Sequence, residues 1–129
     1  MTKAARLRPT VLVVEDEFII ALDVAETVKD IGYIVEGPYG DQRSAFLAIE
    51  QDMPDAAILD VSLLDGEVYP LADALALAGV PMIFHSDHVD PREIHARYPD
   101  AVTCSKPCPP GTIISALHNV IEYRIKAGT

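Results

Sequence analysis

Thr10-Val11-Leu12-Val13-Val14-Glu15-Asp16-Glu17 decides how the rest of the chain is read. An apolar, β-branched run without alternation reads as a strand buried on both faces, and such strands belong to parallel sheets covered by helices. Because the run stops in acids, the strand delivers carboxylates to its carboxyl end. A helix is expected next, with Ile20, Val24, Val28 and Ile31 at helical spacing and Gly32 where a C-cap glycine belongs.

The same strand-helix alternation continues outward. Tyr33-Ile34-Val35 reads as a second strand closed by Gly37-Pro38, followed by a helix from Ser44 to Gln51 with Ala45, Ala48 and Ile49 inward. Ala56 to Leu59 is a third strand ending in Asp60, after which Asp65-Gly66 turns the chain into a helix through Leu77. Val80 to Phe84 is a fourth, with Pro81 near its start, and it exits into His85-Ser86-Asp87-His88. The segment Pro91 to Tyr98 is poorly periodic and predicts a short or irregular helix; Ala101 to Cys104 then gives a fifth strand ending at Lys106-Pro107. After Pro109-Pro110 a long helix carries Ile113, Ile114, Leu117, Val120, Ile121 and Ile125 on one face. The expected architecture is α/β, a doubly wound five-stranded parallel sheet with helices on both faces. Residues 1–9 read as an N-terminal extension, 10–125 as the domain and 126–129 as a tail.

Composition narrows the function. A chain of 129 residues is one domain's worth, and its formal charge of −10 repels phosphate backbones and anionic lipid, which disfavours nucleic acid as a partner. The longest greasy region, Leu71 to Phe84, is broken by Asp73, Gly79 and Pro81, so no membrane span is expected. The start of the chain lacks the apolar core of an export signal. Cys104 and Cys108, four residues apart, are too few for a disulfide framework and wrongly arranged for a zinc knuckle. They read as reduced, inert strand and loop residues, and the expected location is the cytoplasm.

In a doubly wound sheet the ligand crevice lies at the carboxyl ends of the strands. Glu15 and Asp16, Asp60, Ser86 and Lys106 all stand at such ends. Carboxylates gathered there repel by about 4 kcal/mol per pair at 4 Å and an effective dielectric of 20, so they must shift their pKa values or recruit a cation. Oxygen-only donors suit Mg²⁺. A lysine supplies a point charge for a phosphoryl oxygen and a hydroxyl supplies a hydrogen bond. The set fits phosphoryl transfer to Asp60 as carboxylate nucleophile, with Mg²⁺ and Lys106 balancing the incoming charge.

With Val-Val-Glu-Asp-Glu at 13–17, Ile-Leu-Asp-Val-Ser-Leu at 58–63, Ser86 and Lys-Pro at 106–107, the chain resembles the response-regulator receiver domains of bacterial two-component signalling, from about Thr10 to Tyr123. Asp60-Val-Ser-Leu-Leu-Asp-Gly-Glu, Tyr69-Pro70 and Gly79-Val-Pro-Met-Ile-Phe look like a stand-alone receiver group common in alphaproteobacteria. The resemblance implies a flavodoxin-like receiver fold and assigns roles. Asp60 is the phosphoacceptor, Asp16 a direct Mg²⁺ ligand and Glu15 a ligand acting through water. Ser62 offers its backbone carbonyl to the metal, Ser86 hydrogen-bonds the phosphoryl group, and Lys106 pairs with a phosphoryl oxygen. It also implies a cis Lys106-Pro107 peptide. The donor is a histidine kinase or histidine phosphotransfer protein, and the domain is a phosphoacceptor that promotes its own phosphorylation and dephosphorylation rather than a turnover enzyme. With no DNA-binding segment after Thr129, output is expected through protein contacts, phosphate buffering or a homodimer that uses surplus apolar residues such as Ile19 or Ile125.

Three positions depart from the family pattern. Asp87 replaces the usual small residue after the switch hydroxyl and is expected to repel the phosphoryl group, slowing phosphorylation or altering its lifetime. Thr103 replaces the aromatic that commonly couples the site to a partner surface. The region of the fourth helix is weakly helical, so the output face cannot be transferred. His88 stands where receivers tune hydrolysis of the acyl phosphate; a transition-metal site built on His85 and His88 is the less favoured reading, a polar exit loop the favoured one. His95 and His118 receive no role. Two alternatives stay open. One is a degenerate receiver that binds partners without phosphorylation. The other is an aspartate-nucleophile phosphohydrolase, which usually has a second acid two residues after the nucleophile, where this chain has Ser62.

Overall fold

The computed structural model of the chain describes residues 8–87 and 90–127, with side chains as far as Glu122. Its elements run β1 (Thr10–Val14), α1 (Phe18–Asp30), β2 (Ile34–Tyr39), α2 (Gln42–Gln51), β3 (Ala56–Leu59), β4 (Ser62–Leu63), β5 (Gly66–Glu67), α3 (Tyr69–Leu77), β6 (Met82–Ser86), α4 (Pro91–Arg97), β7 (Val102–Ser105) and α5 (Pro110–Ala127). Five strands make one parallel sheet in the order β2-β1-β3-β6-β7. Winding therefore reverses beside β1, and the crevice opens over the carboxyl ends of β1 and β3.

Buried alternation along the strands produces two cores. Leu12, Val14, Leu59 and Phe84 face one side, where Ala45 and Ile49 of α2, Leu71 and Leu75 of α3 and Ile94 of α4 close over them. Val11, Val13, Ile58 and Ile83 face the other, under Val24 and Val28 of α1 and Ile113, Leu117 and Ile121 of α5. Each such side chain contributes roughly 1.5–3 kcal/mol on leaving water, which is why an unbroken apolar strand settles at the centre of the sheet. On the first side Phe84 stacks on Tyr98 at 5.5 Å between ring centroids, and the Tyr98 hydroxyl donates to Asp73 Oδ1 at 2.7 Å.

The five-strand architecture matches the sequence reading, but several boundaries do not. Strand β2 does not close at Gly37-Pro38; it continues to Tyr39, with a register shift against β1 between Leu12 and Val14. The strand lies at the sheet edge, where a proline and a bulge are tolerated. Gly37 has φ +107°, and a Cβ there would lie 2.8 Å from the Val13 carbonyl oxygen, so only glycine fits. The stretch after Asp60 forms the small antiparallel hairpin β4-β5 before α3, where a turn straight into helix was expected. Helix α4 is short, as its weak periodicity implied, and is capped by Asp90, which accepts from Arg92 N–H at 2.9 Å.

The cysteines overturn the expectation of a reduced, unlinked pair. Cys104 and Cys108 are joined by a disulfide, and among the described residues no cysteine is free. In extended chain four residues span about 13 Å. The turn at Lys106-Pro107, whose peptide is cis as the family resemblance implied, brings the two Cα atoms to 5.9 Å, within disulfide range. Spacing along the sequence does not reveal that approach, and the cysteines no longer point to a reducing compartment. No described helix is long and apolar enough to cross a membrane. Residues 1–7, His88, residues 128–129 and the Ile125 side chain lie outside what the structure describes.

Candidate functional site

Backbone ladders carry the acids to one place. Asp60 follows β3, and its N–H donates to the Val14 carbonyl at 2.9 Å, extending the β1-β3 pairing by one step. Glu15 follows β1, and its N–H donates to the Tyr39 carbonyl at 2.8 Å. The two carboxylates therefore leave adjacent strands side by side, and both residues are buried. On the far side of β6, the Lys106 N–H donates to the Ser86 carbonyl at 3.1 Å and aims the lysine back across the strand ends.

Lys106 Nζ then lies 2.8 Å from Glu15 Oε1, 3.1 Å from Asp60 Oδ2 and 3.3 Å from Glu17 Oε1, with its side chain 5% exposed. Glu15, Asp16, Glu17 and Asp60 present carboxylate oxygens within 4.8 Å of one another. Three carboxyl groups thus touch one ammonium, and a fourth, Asp16, stands beside them. Burial pushes the Glu15 carboxyl up to about 8, against the pull of Lys106 and with a further push from Asp60. Burial, then Asp60, raises Asp16 as well. Burial alone would lower Lys106, but hydrogen bonds and charge from Glu15 and Asp60 hold its ammonium above the ordinary lysine value. Raised carboxyls beside a raised lysine mark a surplus of negative charge that either a proton or a cation relieves. Hard oxygen donors around a partly open mouth fit a small divalent cation that keeps some of its waters, and the cluster is capable of holding a metal ion.

Of the residues singled out in the sequence, Glu15, Asp16, Asp60 and Lys106 are brought together. Ser86 ends β6 at the Lys106 contact. Ser62 opens the β4-β5 hairpin, which is strapped to the α2 entrance: Leu64 N–H donates to Gly40 O at 3.1 Å, and Asp65 accepts from Gln42 N–H at 2.9 Å and Arg43 N–H at 3.2 Å. Those bonds hold the Asp65 carboxyl below its usual range. Asp87 is exposed beside a groove of about 540 Å³ between α1 and α5, whose wall also includes Glu17, Asp23, Asp30, Lys106 and Cys108. Thr103 is half-buried on β7 opposite Phe84.

Two residues escaped the sequence reading. Glu17 joins the cluster; its place in the acidic run was the available signal. His85 is a buried strand residue, 5% exposed, and not part of an exit loop. Burial, then Lys106, lowers its pKa, and among the described residues its Nε2 has no hydrogen-bond partner. Alternation from Ile83 would have placed it on the α1-α5 side. Two other histidines gain neighbours: His95 Nε2 lies 3.0 Å from the Ala101 carbonyl oxygen, and His118 meets the Tyr33 ring edge-on at 6.0 Å.

A "response regulator receiver domain protein (CheY-like)" from Methanospirillum hungatei superposes with a TM-score of 0.84 at 18% identity, covering 93% of this chain and 98% of that one. The chain has the response-regulator receiver fold. In sequence, the chain is 26% identical over 127 residues to the phyllosphere-induced regulator PhyR of Methylorubrum extorquens, covering 96% of this chain and 48% of the relative. It is 40% identical over 53 residues to the transcriptional regulatory protein PdtaR of Mycobacterium tuberculosis, covering 41% of this chain and 26% of the relative. The chain therefore spans at most about half the length of these curated relatives. No family model matches it.

Proposed function

We propose that residues 10–125 form a receiver that accepts a phosphoryl group on Asp60 from the phosphohistidine of a histidine kinase or histidine phosphotransfer protein. The observation that carries this reading is the buried Asp60 carboxylate at a strand end, 3.1 Å from the Lys106 ammonium and inside a cluster of acids. An Asp60 oxygen attacks phosphorus, the P–O bond forms as the P–N bond breaks, and the bonding electrons leave with the imidazole. Lys106 offers its ammonium to a phosphoryl oxygen, and the Ser86 hydroxyl donates to another. Glu15, Asp16, Asp60 and the Ser62 carbonyl are the groups that would hold Mg²⁺, which when bound neutralises charge on the transferring group. Asp87 and His88 modulate access and hydrolysis, and Thr103 leaves the aromatic coupling of other receivers unfilled.

The receiver then signals through protein contacts. Phosphate on Asp60 redistributes the partners of Lys106 and Ser86, and a differential affinity of a few kcal/mol between two surface states suffices for output. Phosphohydrolase chemistry is disfavoured because Ser62, two residues after the acceptor, is no general acid.

Intact-mass spectrometry after incubation with acetyl phosphate tests the reading. One phosphoryl adduct is expected on the wild type with Mg²⁺, and none without Mg²⁺ or on Asp60→Asn. Absence of the adduct while a control receiver is labelled, together with failure of a histidine-kinase panel, would favour binding without phosphorylation.

A further inference from the structure

We propose that Cys104 and Cys108 form a reversible redox-modification site that sets how fast Asp60 is phosphorylated. The proposal rests on the reading of Asp60 as phosphoacceptor. The disulfide closes over a segment whose central residue is Lys106, the cation that touches Asp60 and Glu15. From Lys106 to Pro110 the sequence is Lys-Pro-Cys-Pro-Pro, so only Lys106 and Cys108 carry an N–H, and that of Lys106 is given to Ser86. Main-chain hydrogen bonds can do little to hold such a connection. The side-chain bond from Cys108 back to Cys104, on a strand in register with His85, ties it to the sheet.

Cys108 is also placed for exchange. It is half-buried, packs against the α1-α5 core and lines the open groove. A small disulfide such as glutathione disulfide entering that groove meets Cys108 first. The Cys108 thiolate attacks one glutathione sulfur, the glutathione S–S bond breaks, and one glutathione leaves as thiolate. The Cys104 thiolate then attacks the Cys108 sulfur, forming the intramolecular bond and expelling the second glutathione. Each cysteine gives up one proton, and the two electrons lost by the pair reduce one glutathione disulfide to two glutathiones. Excess glutathione reverses both steps. Where thiols are ordinarily kept reduced, disulfides are usually transient and sensing.

Oxidised, the clamp holds the Lys106 backbone in the position that meets the incoming phosphoryl group, so ordering is complete before transfer begins. Reduced, the connection keeps its anchors in β7, at Ser86 and in α5 but loses the cross-tie between Cys104 and Cys108, so Lys106 has more conformational freedom to give up during the reaction.

The test compares the full chain oxidised by glutathione disulfide with the same protein reduced by a phosphine. Thiols are counted by alkylation and mass, and initial rates of Mg²⁺-dependent labelling by acetyl phosphate are measured. The oxidised form is expected to lack titratable thiols and to label at least threefold faster. The double variant Cys104→Ser/Cys108→Ser is expected to label at the reduced rate under both conditions. Equal rates for fully oxidised and fully reduced protein, or thiols that glutathione disulfide never joins, overturn the proposal while leaving Asp60 as acceptor. No labelling in either state overturns the acceptor reading and this proposal with it.

Discussion

Lys106 Nζ stands 3.1 Å from Asp60 Oδ2 although 46 residues separate them in sequence, and Glu15 shares the same ammonium at 2.8 Å. One cation thus balances two buried carboxylates. Lys106→Met leaves both without a countercharge, a change that costs about 3 kcal/mol when a buried pair is broken. Mg²⁺ should restore part of that loss by occupying the same field. The check is a pair of urea titrations, with and without Mg²⁺: the variant should gain more from the ion than the wild type, and labelling of Asp60 should fall at least tenfold. Equal gains would show that the lysine and the ion do not compete for these oxygens.

Divalent binding should itself stabilise the fold. At a free concentration near one hundred times Kd, Mg²⁺ adds about 2.7 kcal/mol through binding to the native state alone. Asp16→Asn keeps the volume and removes a charged donor, so its thermal midpoint should respond far less to the ion. Calorimetric scans at several Mg²⁺ concentrations read the difference.

Asp87 is exposed and shares the wall of the groove with Lys106; on the proposed reading its charge opposes an arriving phosphoryl donor. Asp87→Ala should raise the initial labelling rate roughly two- to fivefold at low salt, with the gap narrowing as ionic strength shortens the Debye length. A rate that stays the same at every salt concentration would remove Asp87 from the control of access.

The Tyr98 hydroxyl, buried and bonded to Asp73, is pushed up to about 12 by burial and by that carboxylate. The folded state therefore keeps its proton when the unfolded chain, with a value of 10.0, has begun to lose it. Stability from this group is complete below pH 10 and drains away as the pH rises through about 12, by about 3 kcal/mol in all. Tyr33, Tyr39 and Tyr69 are raised in the same direction, so the difference between wild type and Tyr98→Phe isolates the contribution. Urea midpoints of the two proteins at pH 9 and 11.5 should converge as the pH rises.

The strands were readable because an unbroken apolar run followed by acids has few other uses, and Thr10 to Glu17 and Ala56 to Asp60 both have that form. Parallel pairing then places every carboxyl end on one edge, so the sequence alone groups Asp60, Asp16 and Lys106. What stayed hidden depends on local bends. Gly37-Pro38 looks like a strand terminus, yet at a sheet edge it becomes a bulge; Ser62 to Glu67 looks like a turn, yet pairs with itself. Cys104 and Cys108 look remote until the chain folds back at Pro107. His85 reads as a loop residue because its neighbours Ser86 and Asp87 are polar, although its own position in the alternation is inward.

Ile83 and Phe84 are consecutive, yet one packs beneath α1 and α5 and the other beneath α2, α3 and α4. They share a backbone and no packing neighbours within either cluster. Truncating either to alanine should cost about 3 kcal/mol or more. Because the sheet stands between them, the double truncation should come close to the sum, as for residues distant in the fold. Energetic independence in this protein is set by the side of the sheet a residue faces, and adjacency in sequence does not predict it.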